Sequence, residues 1–317
     1  MKAVIATEKG AELRDLPKPA PASNEILIRA RASSLNRADL LAAIRGGGAR
    51  LGLECAGEVE AIGSEVKGFK PGDRVLASAP GGFAEYVVTD AGRAHRIPAN
   101  NMSYAEAACL PVALQTMHNA VVTAGRLKRG DTLLMQGASS GVGLMGMQIG
   151  KLVGASLVIG TSTNAERRAR LHEFGCDLAL DSRDAHWPAA VKKATADKGV
   201  DVIVDMISAG AAKQNLEAAA LLGRIVNVGR LGGNEGEFDF DLHALKRIDY
   251  IGVTFRTRSL DEIREINRLM RADLWPALEA GKLTLPIYKT YALDDIAAAL
   301  ALMKANQHFG KIVISIG

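Results

Sequence analysis

The chain has 317 residues, of which 48% are apolar and 23% charged, and this is long and apolar enough for two globular domains. Its net charge of +4 comes from 39 basic and 35 acidic residues without a long basic run, which argues against nucleic-acid binding as a main role. No apolar window has the length of a membrane span, and the first ten residues lack the apolar core of a signal peptide. Cys55, Cys109 and Cys176 lie far apart without a CxxC pair, so we expect reduced, buried thiols in a cytoplasmic protein.

The first hundred residues are rich in strand patterns. EILIRARASS alternates between apolar and polar positions, FKPGDRV contains a Pro-Gly-Asp turn, and GGFAEYVVT is β-branched and aromatic. These patterns predict a compact, partly open barrel or sandwich. The stretch SYAEAACLPVALQTMHNAVVTAG then has helical periodicity, and Ser103 with Glu106 predicts a capping box at its start.

From Asp131 onward, short apolar runs alternate with helical stretches. The strand candidates are TLLMQ, SLVIGTS, CDLALD, VDVIVDMI, RIVNVG and DYIGVTF. The four helical stretches between the first five each end at a glycine, where a left-handed stop is expected. Apolar strands that alternate with helices predict an α/β fold with a doubly wound parallel sheet. After one long helix the final segments have no sheet of their own, so we expect them to return to the N-terminal domain.

A glycine-rich loop, GVGLMG, follows the strand TLLMQ and opens a helix, which is the context that a dinucleotide-binding motif requires. Gly141 is expected to allow the tight turn, Gly143 to let the pyrophosphate approach the backbone, and Gly146 to let the helix pack closely on the strand. The helix start would attract the phosphates. A helix face of small residues is the alternative interpretation, and the position after a strand argues against it.

The end of the second strand predicts which dinucleotide is bound. An NAD site usually has an acidic residue at this strand end to hold the ribose hydroxyls, but here the sequence reads GTSTNAERR. Hydroxyl groups followed by Arg167 and Arg168 suit a 2′-phosphate, which a carboxylate would repel. The sequence therefore predicts NADPH. The alternative for the two arginines is a solvated helix face, and it is stronger for Arg168 than for Arg167.

Several motifs occur in order along nearly the whole chain: LNRADL, GLECAGEVEAIG, FKPGDRV, GGFAEYV, AACLPVALQT, GASSGVG, GRIVNVG and HFGKIVI. In this combination the chain resembles the zinc-independent quinone oxidoreductases of the medium-chain dehydrogenase/reductase superfamily. The resemblance implies a β-rich GroES-like catalytic domain in two pieces, 1–114 and 257–317, around a Rossmann domain at 115–256. It also implies hydride transfer from NADPH to a quinone or related conjugated carbonyl, and a homodimer joined through FDFDLHALKRIDYIGVTF.

Zinc-binding alcohol dehydrogenases of the same superfamily carry Cys and His ligands near these motifs. Here the corresponding segments read Ser34-Leu35-Asn36 and Gly52-Leu53-Glu54, and a four-cysteine lobe is absent. Because zinc requires a set of nitrogen, sulfur or carboxylate ligands, no metal site is expected.

The resemblance also implies roles for individual residues. Those expected at the reacting end are Asn36, Arg45, Thr116 and Arg256. Those expected to bind the cofactor are Asn36, Thr116, Ala138, Ser139, Ser140, Gly141, Val142, Gly143, Gly160, Thr161, Ser162, Asn164, Arg167, Gly229, Arg230, Leu231, Phe255, Arg256 and Lys311. Simpler interpretations stay open: Asn36 as a cap for a helix starting at Arg37, Thr116 as an ordinary helix residue, and Lys311 as a solvated charge at a strand edge.

One segment departs from the family pattern. Relatives have a longer loop with a tyrosine and prolines where this chain has IRGGGARLG. A shorter, glycine-rich loop predicts a wider and more mobile wall of the substrate pocket. An NADPH-dependent enoyl or enone reductase, which shares this scaffold, is the alternative enzyme, and an NADPH-binding structural protein of the same fold is the non-enzymatic alternative.

Overall fold

The computed structural model describes all 317 residues, and the chain forms two compact units. The first unit comprises Met1–Ala113 and Leu260–Gly317, and the second comprises Leu114–Ser259. None of the helices has the length and apolar character needed to cross a membrane. All three cysteines are buried free thiols, as the sequence predicts.

The first unit contains a seven-stranded sheet and a separate hairpin. Its strands are β1 Lys2–Thr7, β2 Gly10–Asp15, β3 Glu25–Ser34, β4 Glu54–Ile62, β5 Arg74–Ser78, β6 Tyr86–Asp90, β7 Ala94–Arg96, β14 Ile287–Ala292 and β15 Lys311–Ser315. The sheet order is β14-β15-β3-β4-β5-β7, with β6 on β3, while β1 and β2 form the hairpin. The C-terminal strand β15 pairs antiparallel with β3, which confirms that the tail returns to the N-terminal part of the chain.

Four helices complete this unit: α1 Arg37–Arg45, α2 Tyr104–Ala108, α9 Leu260–Glu279 and α10 Ile296–Ala305. The predicted capping box of α2 is confirmed, since Ser103 Oγ accepts the Glu106 N–H and the Glu106 carboxylate accepts the Ser103 N–H. The core is built from alternate residues of the strands, among them Ile26, Ile28 and Val75.

The second unit is a six-stranded, fully parallel sheet with the order β10-β9-β8-β11-β12-β13. Its strands are β8 Thr132–Met135, β9 Leu157–Thr161, β10 Leu178–Leu180, β11 Val200–Asp205, β12 Ala219–Asn227 and β13 Asp249–Gly252. Its helices are α4 Gly141–Val153, α5 Ala165–Ala169, α6 Trp187–Ala194, α7 Ala212–Ala218 and α8 Phe240–Lys246. All six predicted strands form, and the order of the sheet confirms the doubly wound α/β interpretation.

Four predicted helices differ from the structure. The stretch predicted to end at Gly175 is divided into α5 and a short 3-10 turn, Leu171–Phe174, and α6 ends at Ala194, before the predicted stop at Gly199. The stretch predicted as one helix between 103 and 125 is split into α2 and α3 Pro111–Met117, which is followed by a π-helical segment, His118–Ala124. Proline is tolerated in the first turn of a helix but not in its interior, so the second helix starts at Pro111. The helix predicted to reach Gly223 ends at Ala218, because Ala219 already pairs with Val200 of β11.

Candidate functional site

The glycine-rich loop connects β8 to α4 at the carboxyl end of the parallel sheet. Its left-handed residue is Gly137, with φ of 67°, whereas Gly141 is the first residue of α4. The prediction that Gly141 makes the tight turn is therefore wrong. The chain turns four residues earlier, because the helix requires ordinary right-handed backbone from Gly141 onward.

The other two glycines of the motif lie where a side chain would collide. A Cβ at Gly143 would lie 2.7 Å from the backbone of Ala138, so only glycine lets the loop fold back on the helix start. A Cβ at Gly146 would lie 2.2 Å from the Met135 side chain on β8, which confirms its role in close helix–strand packing. Ser140 caps α4 by accepting the Gly143 N–H at 3.1 Å. These contacts hold the loop folded back on the start of α4, and binding of a pyrophosphate there stays a prediction.

The end of β9 carries no carboxylate, but its hydroxyl groups do not all face outward. Thr161 is fully buried, and its hydroxyl donates to Gln136 at 2.6 Å, so this group is unavailable to a phosphate. Ser162 is also buried and donates to Ser139 at 3.0 Å, which joins the strand end to the glycine-rich loop. Gly160 is buried as well, and Asn164 caps α5 by accepting the Arg167 N–H.

The two neighbouring arginines on α5 have different environments. Arg168 is tied down, since its guanidinium donates to the Ser162 carbonyl at 2.9 Å and lies 3.2 Å from the Asp181 carboxylate. Arg167 is half-buried, and burial lowers the pKa of its guanidinium. A partly desolvated cation beside a strand end without acids suits a phosphate dianion. The residues at this strand end are therefore compatible with a dinucleotide that carries a 2′-phosphate, and the binding role of Arg167 stays a prediction.

The loop after β12 lies close to the loop after β11. A Cβ at Gly229 would lie 2.5 Å from the Met206 carbonyl oxygen, so glycine is required at this contact. Arg230 and Leu231 are exposed, and Arg230 lines a cavity of about 280 Å³. Further along the unit, Phe255 is half-buried and Arg256 is exposed.

The first unit contains a buried cluster of charged and polar groups around Glu54. The Lys311 ammonium donates to the Glu54 carboxylate at 2.8 Å, to the Leu35 carbonyl at 3.0 Å and to the Asn36 amide oxygen at 3.0 Å. Three acceptors use all three N–H groups of this ammonium. Lys311 is therefore neither the solvated charge of the simpler interpretation nor available to bind a cofactor phosphate.

The Glu54 carboxylate accepts three hydrogen bonds in addition to that from Lys311. Its donors include the Ser34 hydroxyl at 2.6 Å, the Asn36 amide at 2.7 Å and the backbone N–H of Val112 at 2.8 Å. Val112 lies in the first turn of α3, the helix that also carries the buried Thr116. Sequence reasoning treated Glu54 only as a remnant of a zinc motif and missed its position at the centre of this cluster.

Asn36 is the helix cap of the simpler interpretation, and its role at the reacting end stays a prediction. It is the N-cap residue of α1, and its backbone N–H donates to Asp39 at 2.8 Å. Asp39 is fully buried, and desolvation, with a smaller effect of the nearby Glu54 charge, raises the pKa of its carboxyl from 3.8 to about 7. The start of α1 therefore contains a carboxyl that titrates near neutrality.

The shortened loop after α1 is attached to β1. Arg45 is exposed in the last turn of α1, and Gly46, Gly47 and Gly48 all have left-handed φ values. The Gly48 N–H donates to the Ala6 carbonyl at 2.8 Å, and two further backbone bonds join residues 49 and 51 to β1. The second half of the loop is thus anchored by strand-like bonds, and the predicted width and mobility of a pocket wall stay a prediction.

The side chains present do not form a zinc-binding set. The structure contains no group of three or more His, Cys, Asp or Glu side chains with the geometry of a metal site. Glu54, the acid that remains from the zinc motif, is saturated by N–H and O–H donors and by the Lys311 ammonium. A divalent cation would have to displace that ammonium, so the residues do not fit zinc.

Two family profiles match the chain. Residues 22–99 match the profile described as "Alcohol dehydrogenase GroES-like domain", and residues 141–272 match the one described as "Zinc-binding dehydrogenase". Among curated relatives, a "Mycocerosic acid synthase-like polyketide synthase" of Mycobacterium tuberculosis (strain ATCC 25618 / H37Rv) is 29% identical over 303 residues. That alignment covers 93% of this chain but only 14% of the relative, so the chain spans a small part of the length of the relative it matches.

Solved structures match over the whole chain. A structure described as an NAD-dependent alcohol dehydrogenase is 28% identical with a TM-score of 0.88, and the match covers 100% of both chains. A mycobacterial protein solved in complex with NADPH is 26% identical with a TM-score of 0.89, covering 99% of this chain and 100% of the other. A quinone oxidoreductase of Pseudomonas syringae pv. Tomato DC3000 is 25% identical with a TM-score of 0.88, covering 99% of both chains.

Proposed function

Because the chain belongs to the medium-chain dehydrogenase/reductase superfamily, we propose that it is a zinc-independent, NADPH-dependent oxidoreductase that reduces a quinone or a related conjugated carbonyl. The observation that carries this proposal is the set of residues at the carboxyl end of the second unit's sheet. There, a glycine-rich loop, a strand end without acids and the half-buried Arg167 lie together. When bound, NADPH supplies the hydride, and the protein binds, orients and desolvates the reactants.

The choice of NADPH over NADH rests on the residues and not on the fold. Structures described with NAD and with NADPH have the same fold as this chain, so the fold does not discriminate between the two cofactors. The end of β9 supplies Ser162, Asn164 and Arg167 but no acid that could hold two free ribose hydroxyls. A 2′-phosphate would instead receive charge-assisted hydrogen bonds from Arg167.

Arg167→Ala is expected to weaken NADPH binding about tenfold to hundredfold, the range of one lost charge-assisted hydrogen bond. NADH affinity should stay within about twofold of the wild-type value, because NADH has no 2′-phosphate. Fluorescence titration with both dinucleotides measures this split. Arg170→Ala is the control, since Arg170 lies on the same segment and is bound to Glu173. Equal affinity of the wild type for NADH and NADPH would refute the cofactor assignment.

The chemistry at the reacting end requires donors for a developing oxyanion. Arg45 and Arg256 are the exposed cations that stay predicted for this role, and Thr116 stays predicted to orient the nicotinamide. We infer that the product anion takes its proton from water. A hydroquinone anion is weakly basic, so its formation does not require a general acid among the side chains of the site. Zinc is not required for this reaction, and stoichiometric zinc in the purified protein would overturn the metal-free assignment.

A substrate panel tests the proposed activity. Consumption of NADPH should be compared with 1,4-benzoquinones, conjugated enones and enoyl thioesters as acceptors. Preference for benzoquinones supports the main proposal, whereas preference for enones or enoyl thioesters supports the alternative reductase. The exposed Gly47 and Gly48 leave space beside the loop that the family uses as a pocket wall, which favours bulky acceptors in either case. Tight NADPH binding with no turnover would indicate a structural protein.

We further propose a homodimer through the β13 edge of the sheet. Among the exposed large apolar side chains, Leu221, Leu222, Phe240, Leu245 and Tyr250 all belong to β12, α8 or β13. An open strand edge flanked by apolar side chains favours pairing with a second copy. Leu245→Arg is expected to convert the dimer to a monomer in sedimentation velocity. Leu152→Arg, an equally apolar exposed position on α4, should leave the mass unchanged, and a monomeric wild type would contradict the proposal.

A further inference from the structure

Four buried polar side chains cross the carboxyl end of the second unit's sheet in an unbroken line. Thr161 Oγ1 donates to Gln136 Oε1 at 2.6 Å, Gln136 Nε2 donates to Asn215 Oδ1 at 2.8 Å, and Asn215 Nδ2 donates to Asp205 Oδ2 at 3.0 Å. All four residues are fully buried. We call these four residues the buried polar relay. It joins the ends of β9, β8 and β11 through α7.

The carboxylate of Asp205 fixes the direction of donation along the relay. Asp205 accepts two backbone N–H groups on one oxygen and the Asn215 side-chain amide on the other, so Asn215 presents its NH₂ group to Asp205 and its oxygen to Gln136. Gln136 must then present its own NH₂ group to Asn215 and its oxygen to Thr161. The Thr161 hydroxyl is left to donate, and its lone pair accepts the Gly137 N–H at 3.2 Å. Hydrogen bonds that point the same way along a buried chain strengthen one another.

The relay ends in two loops that border the proposed cofactor site. At one end, Gly137 is the left-handed residue that starts the glycine-rich loop. At the other end, the second oxygen of Asp205 accepts the N–H groups of Ile207 at 2.7 Å and Ser208 at 3.0 Å. The same network therefore fixes the backbone of the loop after β8 and that of the loop after β11.

Ser208 is held in an unusual conformation at this second end. Its φ is 65°, in the left-handed region that non-glycine residues rarely adopt. Its hydroxyl donates to the Gly229 carbonyl at 2.5 Å and accepts the Asn227 side-chain amide. Backbone strain of this kind persists when surrounding contacts over-determine it, and it occurs mainly at functional sites.

We propose that the buried polar relay and Ser208 form a positioning device that fixes the Gly229 loop relative to the glycine-rich loop. Ser208 is thus a positioning residue for the nicotinamide half of the dinucleotide. This inference rests on the proposed function, because the resemblance places Gly229 beside the nicotinamide. Ser208 acts through Gly229, whose carbonyl accepts its hydroxyl and whose close approach to the Met206 backbone leaves the loop no space to shift inward.

The first test compares the whole cofactor with its adenosine half. Ser208→Ala is expected to weaken NADPH binding about fivefold to tenfold, the scale of one net hydrogen bond. Its affinity for adenosine 2′,5′-bisphosphate, which lacks the nicotinamide, should equal that of the wild type. Ser156→Ala is the matched control, since the Ser156 hydroxyl also donates to a backbone carbonyl, that of Gly130, at 2.7 Å, but at the amino end of the parallel strands. It should change neither affinity.

A second test asks whether the relay couples its two ends. Thr161→Val removes the first hydroxyl and is expected to weaken binding of both NADPH and the bisphosphate. In the double variant Thr161→Val/Ser208→Ala, the loss of NADPH affinity should be smaller than the product of the two single losses, because coupled residues are not additive. If the loss of NADPH affinity in the double variant equals the product of the two single losses, the two ends of the relay are not coupled.

The inference about Ser208 fails if Ser208→Ala binds NADPH as tightly as the wild type. It also fails if this variant loses NADPH and the bisphosphate equally, which is what a general structural defect would cause. A wild-type protein that binds neither compound would refute the proposed function instead. The two failures are therefore distinguishable by the same titrations.

Discussion

Replacing Lys311 with methionine is expected to lower the free energy of unfolding by about 3–5 kcal/mol, the usual cost of removing one partner from a buried ion pair. The side chains of Lys311 and Glu54 are almost completely buried, and their charged groups lie 2.8 Å apart. Without the ammonium, the Glu54 carboxylate would stay in the core with only neutral donors. Urea unfolding at pH 7, followed by circular dichroism, measures the loss.

Two further variants separate the effect of charge from that of packing. Adding Glu54→Gln to Lys311→Met removes the orphaned charge, so the double variant should recover most of the lost stability. Lys2→Met is the matched control, because Lys2 forms an ion pair with Asp294 in which both side chains are well exposed. It should have little effect. A Lys311→Met variant as stable as the wild type would contradict the importance of this pair.

The fold could be predicted from the sequence because its signals are local. Each of the six strands of the second unit is a short apolar run bounded by a turn or a helix start, and burial on both faces produces such runs. The early end of α7 came where tertiary pairing overrode the local pattern. Ala219 is in a helical context, yet it pairs with Val200 because the neighbouring strand offers backbone partners there.

The candidate site was predictable only where sequence neighbours form it. The glycine-rich loop and the end of β9 each lie within about ten residues of sequence, and a motif can describe them. The contact between Lys311 and Glu54 joins residues 257 positions apart, and the relay joins Gln136 to Asn215 over 79 positions. No periodicity encodes such distances, so the sequence predicts a cofactor role for Lys311 and Thr161 although both side chains are engaged in buried hydrogen bonds.

The cluster around Glu54 also determines how the first unit responds to pH. Asp39 lies at the start of α1, and the nearby titratable groups are Glu54 and Lys311, whose effects on its pKa are opposite in sign. Desolvation is the largest effect and raises the pKa of Asp39 to about 7. This carboxyl therefore takes up a proton on folding in mildly acidic solution, in contrast to most acidic groups.

Asp39→Asn is consequently expected to change the pH dependence of stability more than stability at any single pH. The wild-type folded state keeps the Asp39 proton up to pH of about 7, whereas the unfolded chain releases it near pH 3.8, so the wild-type unfolding free energy falls as pH rises through this interval. Between pH 5 and pH 8 the wild type should lose on the order of 2–3 kcal/mol relative to the variant. Any hydrogen bond that asparagine cannot reproduce shifts the variant equally at every pH and cancels from this difference.

Unfolding of both proteins at pH 5, 6, 7 and 8 measures the effect, and Asp15→Asn, an exposed carboxylate at the end of β2, is the control that should run parallel to the wild type. Parallel curves for Asp39→Asn and the wild type would show that Asp39 is ionised throughout this range. The α1 start would then hold two buried carboxylates, Asp39 and Glu54, against the single ammonium of Lys311. The expected slope thus distinguishes a cluster that is neutral in mildly acidic solution from one that carries a net negative charge at every pH.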